Sequence, residues 1–334
     1  MKKTYYLFNP GRLSRKDNTL MLTPTDESGK ELPPKYLPVE GIDNLYIFGS
    51  LDANSSMYNF LGKHGISVHF FDYYEHYTGS FYPKEYLLAG KMQVSQTRHY
   101  LKPTKRMVLA KKFVQGSAFN MVKNLRYYQN RGREFDAHIS EMEQLAEKSN
   151  ISPDIPTLMG IEGNIRQTYY NSFNDILKEH EMPGRSRQPP LNPVNTLISF
   201  GNMMCYTVCL DMIYHTQLNP TISFLHEPGT RRYSLALDLA EIFKPLLVDR
   251  TIFRVLNKKE IQGKDFSTEL NQCLLKESGK KAFVQAFEDR LKETITHRNL
   301  KRQVSYKHLI KLECYKLSKH LLDMEEYKPF KAWW

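Results

Sequence analysis

Leu88-Ala89-Gly90-Lys91-Met92-Gln93-Val94-Ser95-Gln96 is where the chain changes texture. Upstream, short apolar runs (Thr4–Phe8, Leu20–Leu22, Lys35–Val39, Leu45–Gly49 and Ile66–Phe71) alternate with turn residues such as Asn9-Pro10-Gly11. Runs of that length, punctuated by Pro, Gly and Asp, suit a small β-sandwich. Ser55–Lys63, with a serine to cap it and Gly62 or Gly65 to end it, predicts one helix inside this part. Downstream, apolar residues recur at helical spacing over 97–131, 134–149, 154–180, 192–217, 233–247, 266–278, 279–296 and 305–323. Clusters such as Met182-Pro183-Gly184 and Gln188-Pro189-Pro190 separate them. The expected architecture is α+β and multidomain: a β-rich, sandwich-like domain over 1–88, a linker over 89–97 and an all-α domain over 98–334.

The chain's 334 residues fit two domains, since single cores stop growing at about 250 to 300 residues. With 41% hydrophobic and 25% charged residues, the composition excludes disordered, fibrous and membrane classes. The most apolar stretch, Asn195–Tyr214, carries Asn202 and Asp211 and reads as a buried helix, so no membrane partner is expected. The start has too few apolar residues before Asn9-Pro10 for a signal peptide, which makes a cytoplasmic location the expectation. Cys205, Cys209, Cys273 and Cys314 form no Cys-x-x-Cys pair and read as reduced, buried thiols.

The net charge of +11 is unevenly placed: residues 1–97 hold ten basic and ten acidic side chains, so the whole excess lies downstream. Arg98–Arg133 carries ten basic residues, among them Lys105, Arg106, Lys111 and Lys112, and no Asp or Glu. Tyr100, Phe113, Phe119, Tyr127 and Tyr128 are interleaved with them. Cations that neutralise phosphates beside aromatic faces that can stack on bases point to nucleic acid, the bland alternative being a solvated helix face. A second basic run over Lys292–Lys311 favours the first reading.

Within Leu158-Met159-Gly160-Ile161-Glu162-Gly163-Asn164-Ile165-Arg166, a helical wheel puts Glu162 inside the stripe of Leu158, Ile161, Ile165 and Tyr169. A carboxylate in that position is paired, neutralised or bound to a cation. Arg166, one turn on, is the obvious ion-pair partner, and a bound metal is the alternative. Gly160 and Gly163 weaken the helix on either side of the acid and suggest a close approach to its backbone. A second cluster, Phe224-Leu225-His226-Glu227, precedes a helix starting at Tyr233 or Ser234 in which Asp238 and Glu241 stand about 60° apart at the margin of the apolar stripe. Two neighbouring acids, a nearby imidazole and a distant inward glutamate suit a hard cation, Mn²⁺ or Mg²⁺. Taken singly, His226 reads as a core histidine and the acids as solvent-facing. A zinc-protease motif fails because position 230 is Thr230, and there is no Walker loop, nucleophile elbow or dinucleotide fingerprint.

In order, Phe8-Asn9-Pro10-Gly11-Arg12-Leu13-Ser14-Arg15, Met159-Gly160-Ile161-Glu162-Gly163, Leu191-Asn192-Pro193-Val194-Asn195 with Ser199-Phe200-Gly201, Leu225-His226-Glu227 and Ser234-Leu235-Ala236-Leu237-Asp238-Leu239-Ala240-Glu241 resemble CRISPR-associated protein one, the integrase and endonuclease family of spacer acquisition. The N-terminal segment and Phe70-Phe71-Asp72-Tyr73-Tyr74 look closest to the branch that accompanies type I systems. Asn202 departs from the aromatic residue common at that place, so it is given no role.

The resemblance implies a β-sandwich that pairs two subunits, a helical catalytic domain, and a divalent ion, Mg²⁺ or Mn²⁺, held by Glu162, His226 and Glu241 with Asp238 beside them as a further catalytic acid. It also implies a small ferredoxin-like companion protein and, as substrates, short duplex DNA fragments and repeat DNA. The expected reaction joins the 3′-hydroxyl end of a fragment to repeat DNA by transesterification. Arg166, Arg231 and Arg232 are candidates, by proximity in sequence, for offsetting transition-state charge. Two rivals remain: a protein that only binds nucleic acid, its acids forming internal ion pairs, and a metallohydrolase acting on a small phosphorylated molecule.

Overall fold

The computed structural model describes residues 2–26, 28–84, 89–230, 233–269 and 272–334. Its two compact units are Met1–Leu88 and Ala89–Trp334. The first contains β1 (Lys3–Leu7), β2 (Gly11–Lys16), β3 (Thr19–Pro24), β4 (Lys35–Pro38), β5 (Ile42–Ile47), β6 (Leu51–Asp52), α1 (Ser55–Lys63), β7 (Ser67–Phe71) and β8 (Tyr77–Phe81). One four-stranded sheet runs β1-β5-β7-β8 and the other β4-β3-β2-β6. β1, β5 and β7 are parallel and β8 is antiparallel to β7. Leu13, Leu20 and Leu22 from the second sheet meet Leu45, Ile47 and Val68 from the first and Phe60 and Leu61 of α1 in one apolar core. The cap of α1 is Asn54, whose side chain accepts from the Met57 N–H at 3.0 Å, and not a serine. β2 and β8 escape an apolar-run reading because they are polar: of the six residues of β2, Leu13 alone is buried.

The second unit contains α2 (Gly90–Leu101), α3 (Pro103–Gln129), α4 (Asp136–Lys148), α5 (Ile155–Asn171), α6 (Phe173–Ile176), α7 (Pro193–Tyr214), α8 (Ser234–Lys244), α9 (Arg250–Asn257), α10 (Glu277–Lys292) and α11 (Tyr306–Leu321). It also holds two hairpins, β9 (Phe266–Glu269) with β10 (Gln272–Leu275) and β11 (Thr294–Thr296) with β12 (Gln303–Ser305). Three expectations need correction. Residues 90–97, read as linker, belong to α2, which buries Met92, Gln96 and His99. The segment 97–131 is two helices, because the residue before a proline is pushed out of the helical region and Lys102 is extended ahead of Pro103. The segment 266–278 begins as a hairpin and not a helix: Phe266, Cys273 and Leu275 are buried at the alternating positions of two paired strands.

α7 is long and apolar enough to cross a membrane, yet most of its apolar window is packed inside the unit. Its Gly201 is there for close approach. A Cβ at this position would collide with Val248 Cγ1 and lie 2.9 Å from Phe283 Cζ. Val248 belongs to a π-helical turn, Pro245–Asp249, that continues α8. Pro245 has no N–H to return to the carbonyl one helical turn back, which accounts for the widened turn. Gly201→Ala should therefore lower stability by about 1–3 kcal/mol, measured by urea unfolding, despite alanine's better helix propensity.

α8 is also braced from behind. The Asn120 amide donates to the Ile242 and Phe330 carbonyls at 2.9 and 3.1 Å and accepts from the Ala332 N–H at 2.9 Å. Glu313, fully buried, accepts from the Tyr327 hydroxyl and the Phe330 N–H. The C-terminal segment is thus strapped against α3 and α8, the helix that carries Asp238 and Glu241.

Candidate active site

α5 starts where Asp154 accepts from the Thr157 N–H at 2.8 Å, with Pro156 in the first turn. Leu158, Ile165 and Tyr169 point into the core, and Glu162 sits at the rim of the same face with 14% of its side chain exposed. Gly160 and Gly163 flank it in open space: a Cβ at either would meet nothing within 4 Å. Arg166 is the centre of the cluster. Its Nε and Nη2 donate to Glu162 Oε1 at 2.8 and 2.6 Å, and Nη2 also donates to Glu241 Oε2 on α8. Lys244 donates to the other Glu241 oxygen at 2.6 Å. Carboxylates from two helices therefore meet at a single guanidinium. Burial by itself would raise the Glu241 carboxyl, but Arg166, Lys244 and His226 outweigh it and hold it at about 2.

His226 is positioned by main chain as much as by side chain. The loop ahead of α8 wraps Asp238, which is fully buried. Asp238 Oδ2 accepts from the Phe224 and Leu225 N–H groups at 2.7 and 3.0 Å, and Oδ1 from the His226 N–H at 2.9 Å. Oδ1 also accepts from His226 Nδ1 at 2.8 Å, and among the described residues Nε2 has no hydrogen-bond partner. Burial works to lower the His226 imidazole, but the Asp238 hydrogen bond and the Asp238 and Glu241 charges prevail and raise it above the ordinary histidine value. The far side of the loop is clamped by Glu227, which accepts from the Tyr100 hydroxyl at 2.5 Å and from Arg106 Nη2 at 2.6 Å. Arg106 Nε donates to the Phe224 carbonyl at 2.9 Å while its guanidinium lies 4.6 Å from the Tyr100 ring centroid.

Of the residues singled out from sequence, Glu162, Arg166 and Glu241 come together, and His226 lies within the electrostatic reach of Glu241. The ion-pair reading of Glu162 is what the structure contains. Asp238 is different from its sequence-based reading: all its accepting positions serve the His226 loop, so it orients the imidazole and is not a free acid. Among the described residues no three His, Cys, Asp or Glu side chains are placed to hold a metal in common.

The four cations assigned to DNA from the first basic tract have partners inside the chain. Lys105 is 3.6 Å from Asp323, Arg106 clamps Glu227, Lys111 donates to the Asn150 carbonyl and Lys112 pairs with Glu326. Arg231 and Arg232 lie outside the described residues. Two residues were missed. Asp249, in the π-helical turn, is buried against Tyr169, and burial raises its carboxyl to about 7. Arg185 donates to Asn195 Oδ1 at 2.9 Å and Ser199 Oγ at 3.0 Å and interacts with Tyr170 and the Arg166 charge. An acid ending the apolar run Pro245-Leu246-Leu247-Val248 and the pattern Arg185-Ser186-Arg187 between proline clusters were the signals available.

The model for "CRISPR associated protein Cas1" matches residues 5–289. A protein of Thermodesulfovibrio yellowstonii called "CRISPR-associated endonuclease Cas1 3" is 48% identical, covering 99% of this chain and 100% of its own length. The solved Thermotoga maritima Cas1 protein is 38% identical with a TM-score of 0.86, covering 97% of this chain and 98% of its own. A solved "casposase bound to integration product" shares the fold at a TM-score of 0.86 and 20% identity, covering 99% of this chain and 94% of its own. The chain belongs to the Cas1 family.

Proposed function

We propose that this protein is the DNA integrase and endonuclease of CRISPR adaptation, joining 3′-hydroxyl ends of short duplex fragments to repeat DNA. The single observation that carries this reading is the meeting of two carboxylates from separate helices at one cationic point, beside an imidazole held by a buried aspartate. In the reaction, the 3′-oxygen of the fragment forms a bond to phosphorus as the target's 3′-oxygen–phosphorus bond breaks. One phosphodiester replaces another, the attacking hydroxyl loses a proton, and the departing oxygen gains one.

The donor types, two carboxylates and an imidazole, suit a divalent ion, although here Arg166 joins the acids and the three side chains do not share a metal geometry. Glu162 and Glu241 already accommodate a cationic group between them, and His226 keeps Nε2 available. Glu162, Glu241 and His226 would hold Mg²⁺ or Mn²⁺, which when bound polarises the scissile phosphate and acidifies the attacking hydroxyl. Lys244, bonded to Glu241, and Arg185, within reach of the Arg166 charge, would offset charge on a phosphate bound beside this cluster. Asp238 fixes the tautomer and direction of His226, and the Arg106–Glu227–Tyr100 clamp fixes the loop. Arg106→Gln and Glu227→Gln should each slow strand transfer about 10- to 100-fold, and the double variant should be no slower than the worse single one, because both remove the same clamp. Single-turnover rates of the three variants would check this.

The Cas1 fold also occurs in a solved assembly described as a Cas6-RT-Cas1–Cas2 complex. A homodimer built through the sandwich unit, working with a small ferredoxin-like companion, is the assembly we infer. A second reading, nucleic-acid binding without catalysis, is favoured by one observation: Arg166 and Lys244 satisfy both acids internally. The deciding experiment is a strand-transfer assay with labelled duplex, target repeat and Mn²⁺, with and without the companion. Metal-dependent joined product supports the enzyme, whereas tight binding without product in every combination leaves only the binder.

A further inference from the structure

The second basic run resolves into a built element. β11 and β12 pair Thr294 with Ser305, Ile295 with Val304 and Thr296 with Gln303. The base is anchored by buried Val304 and Tyr306 and by the Tyr306 N–H, which donates to the Glu293 carbonyl. The tip, residues 297–302, is hydrogen-bonded within itself: the His297 N–H donates to the Arg302 carbonyl and the Lys301 N–H to the His297 carbonyl, both at 2.9 Å. His297 Nδ1 accepts from the Asn299 and Leu300 N–H groups at 3.3 and 3.2 Å. Arg298 lies 5.2 Å from the Trp333 ring centroid, and Trp333 packs on Phe330 of the C-terminal strap.

This tip is cationic without internal compensation. Residues 294–312 contain no Asp or Glu. Arg298, Lys301 and Arg302 are exposed, and among the described residues none of them forms an ion pair, unlike Lys105, Arg106 and Lys112 of the first tract. Their charge is felt by neighbours: His308, already disfavoured as a cation by burial, is lowered further by Arg302 and Lys311. Three uncompensated cations on a two-stranded ribbon match a regularly spaced polyanion, and a ribbon of that width fits a groove of duplex DNA.

We propose that the β11–β12 hairpin is a second DNA contact, in which Arg298, Lys301 and Arg302 neutralise backbone phosphates of duplex DNA. None of these residues belongs to the Glu162–Glu241 cluster. The inference rests on DNA being the substrate. Its test compares the wild-type chain with an Arg298→Gln/Lys301→Gln/Arg302→Gln variant, binding a short labelled duplex across a salt series. Lys301→Gln/Arg302→Gln, which leaves the Arg298–Trp333 contact intact, guards against misfolding. The triple variant should bind about tenfold or more weakly at moderate salt, and its slope of log affinity against log salt should be shallower by roughly two to three, the double variant's by about two. Wild-type affinity and slope in both variants would overturn the hairpin contact while leaving the integrase reading intact. Unchanged DNA binding with lost companion binding would assign the ribbon to a protein partner instead. Failure of the wild-type chain itself to bind duplex would remove both inferences.

Discussion

His226→Ala should lower strand transfer by on the order of a thousandfold or more while leaving duplex affinity within about twofold. The argument rests on how little else the imidazole does. Among the described residues its ring makes one hydrogen bond, to Asp238, and the loop that carries it keeps its three backbone bonds to the same carboxylate when the ring is gone. The fold should survive, and a thermal melt within a few degrees of wild type would show it. Asp238→Asn is the contrasting case. An amide can accept at only one of its two ends, so part of the loop's N–H set loses its acceptor in a fully buried place. That variant should lose both activity and stability. Strand transfer retained by His226→Ala would remove the imidazole from the mechanism.

The second large effect concerns Arg166. Arg166→Gln should destabilise the protein by about 3–5 kcal/mol at neutral pH, because removing one partner of a buried ion network strands the others. Glu162 and Glu241 would face each other across a neutral amide, with Lys244 alone to compensate. The pH dependence follows from the direction of the Glu241 shift. A folded-state value near 2, below the ordinary 4.5, stabilises the wild-type protein above about pH 4.5, and that contribution is lost as the pH falls toward 2. The difference between wild type and variant should therefore be largest at neutral pH and shrink on acidification, read by urea unfolding at several pH values. A difference that does not shrink would mean that Arg166 contributes through packing and not through its carboxylate partners. Mn²⁺ should raise the variant's melting temperature more than the wild type's if the same acids bind the ion.

The division into a β-rich start and a helical remainder was legible because period two and period 3.6 leave different marks, and the break at 88–96 is sharp. What escaped was whatever the local pattern under-determined. β2 carries a single buried residue, and the paired strands β9 and β10 have apolar residues that a helix would use equally well. The site was legible in its acids, since an inward Glu162 and the Asp238–Glu241 spacing are wheel arguments. The division of labour between Asp238 and Glu241 was not, because it depends on the loop at 224–226 folding back over one carboxylate and leaving the other to Arg166. The basic tract was legible as charge but not as pairing: charge is visible in sequence, whereas the internal partners Asp323, Glu227 and Glu326 lie far along the chain.

The lock on the imidazole has an evolutionary corollary. Because Asp238 holds positions 224 and 225 by their amide hydrogens and not by their side chains, both are free to drift among apolar residues of similar volume without moving the ring. Position 238 is not. Loops that differ at 224 and 225 can therefore be exchanged between relatives, provided His226, Glu227 and the aspartate beneath them are kept.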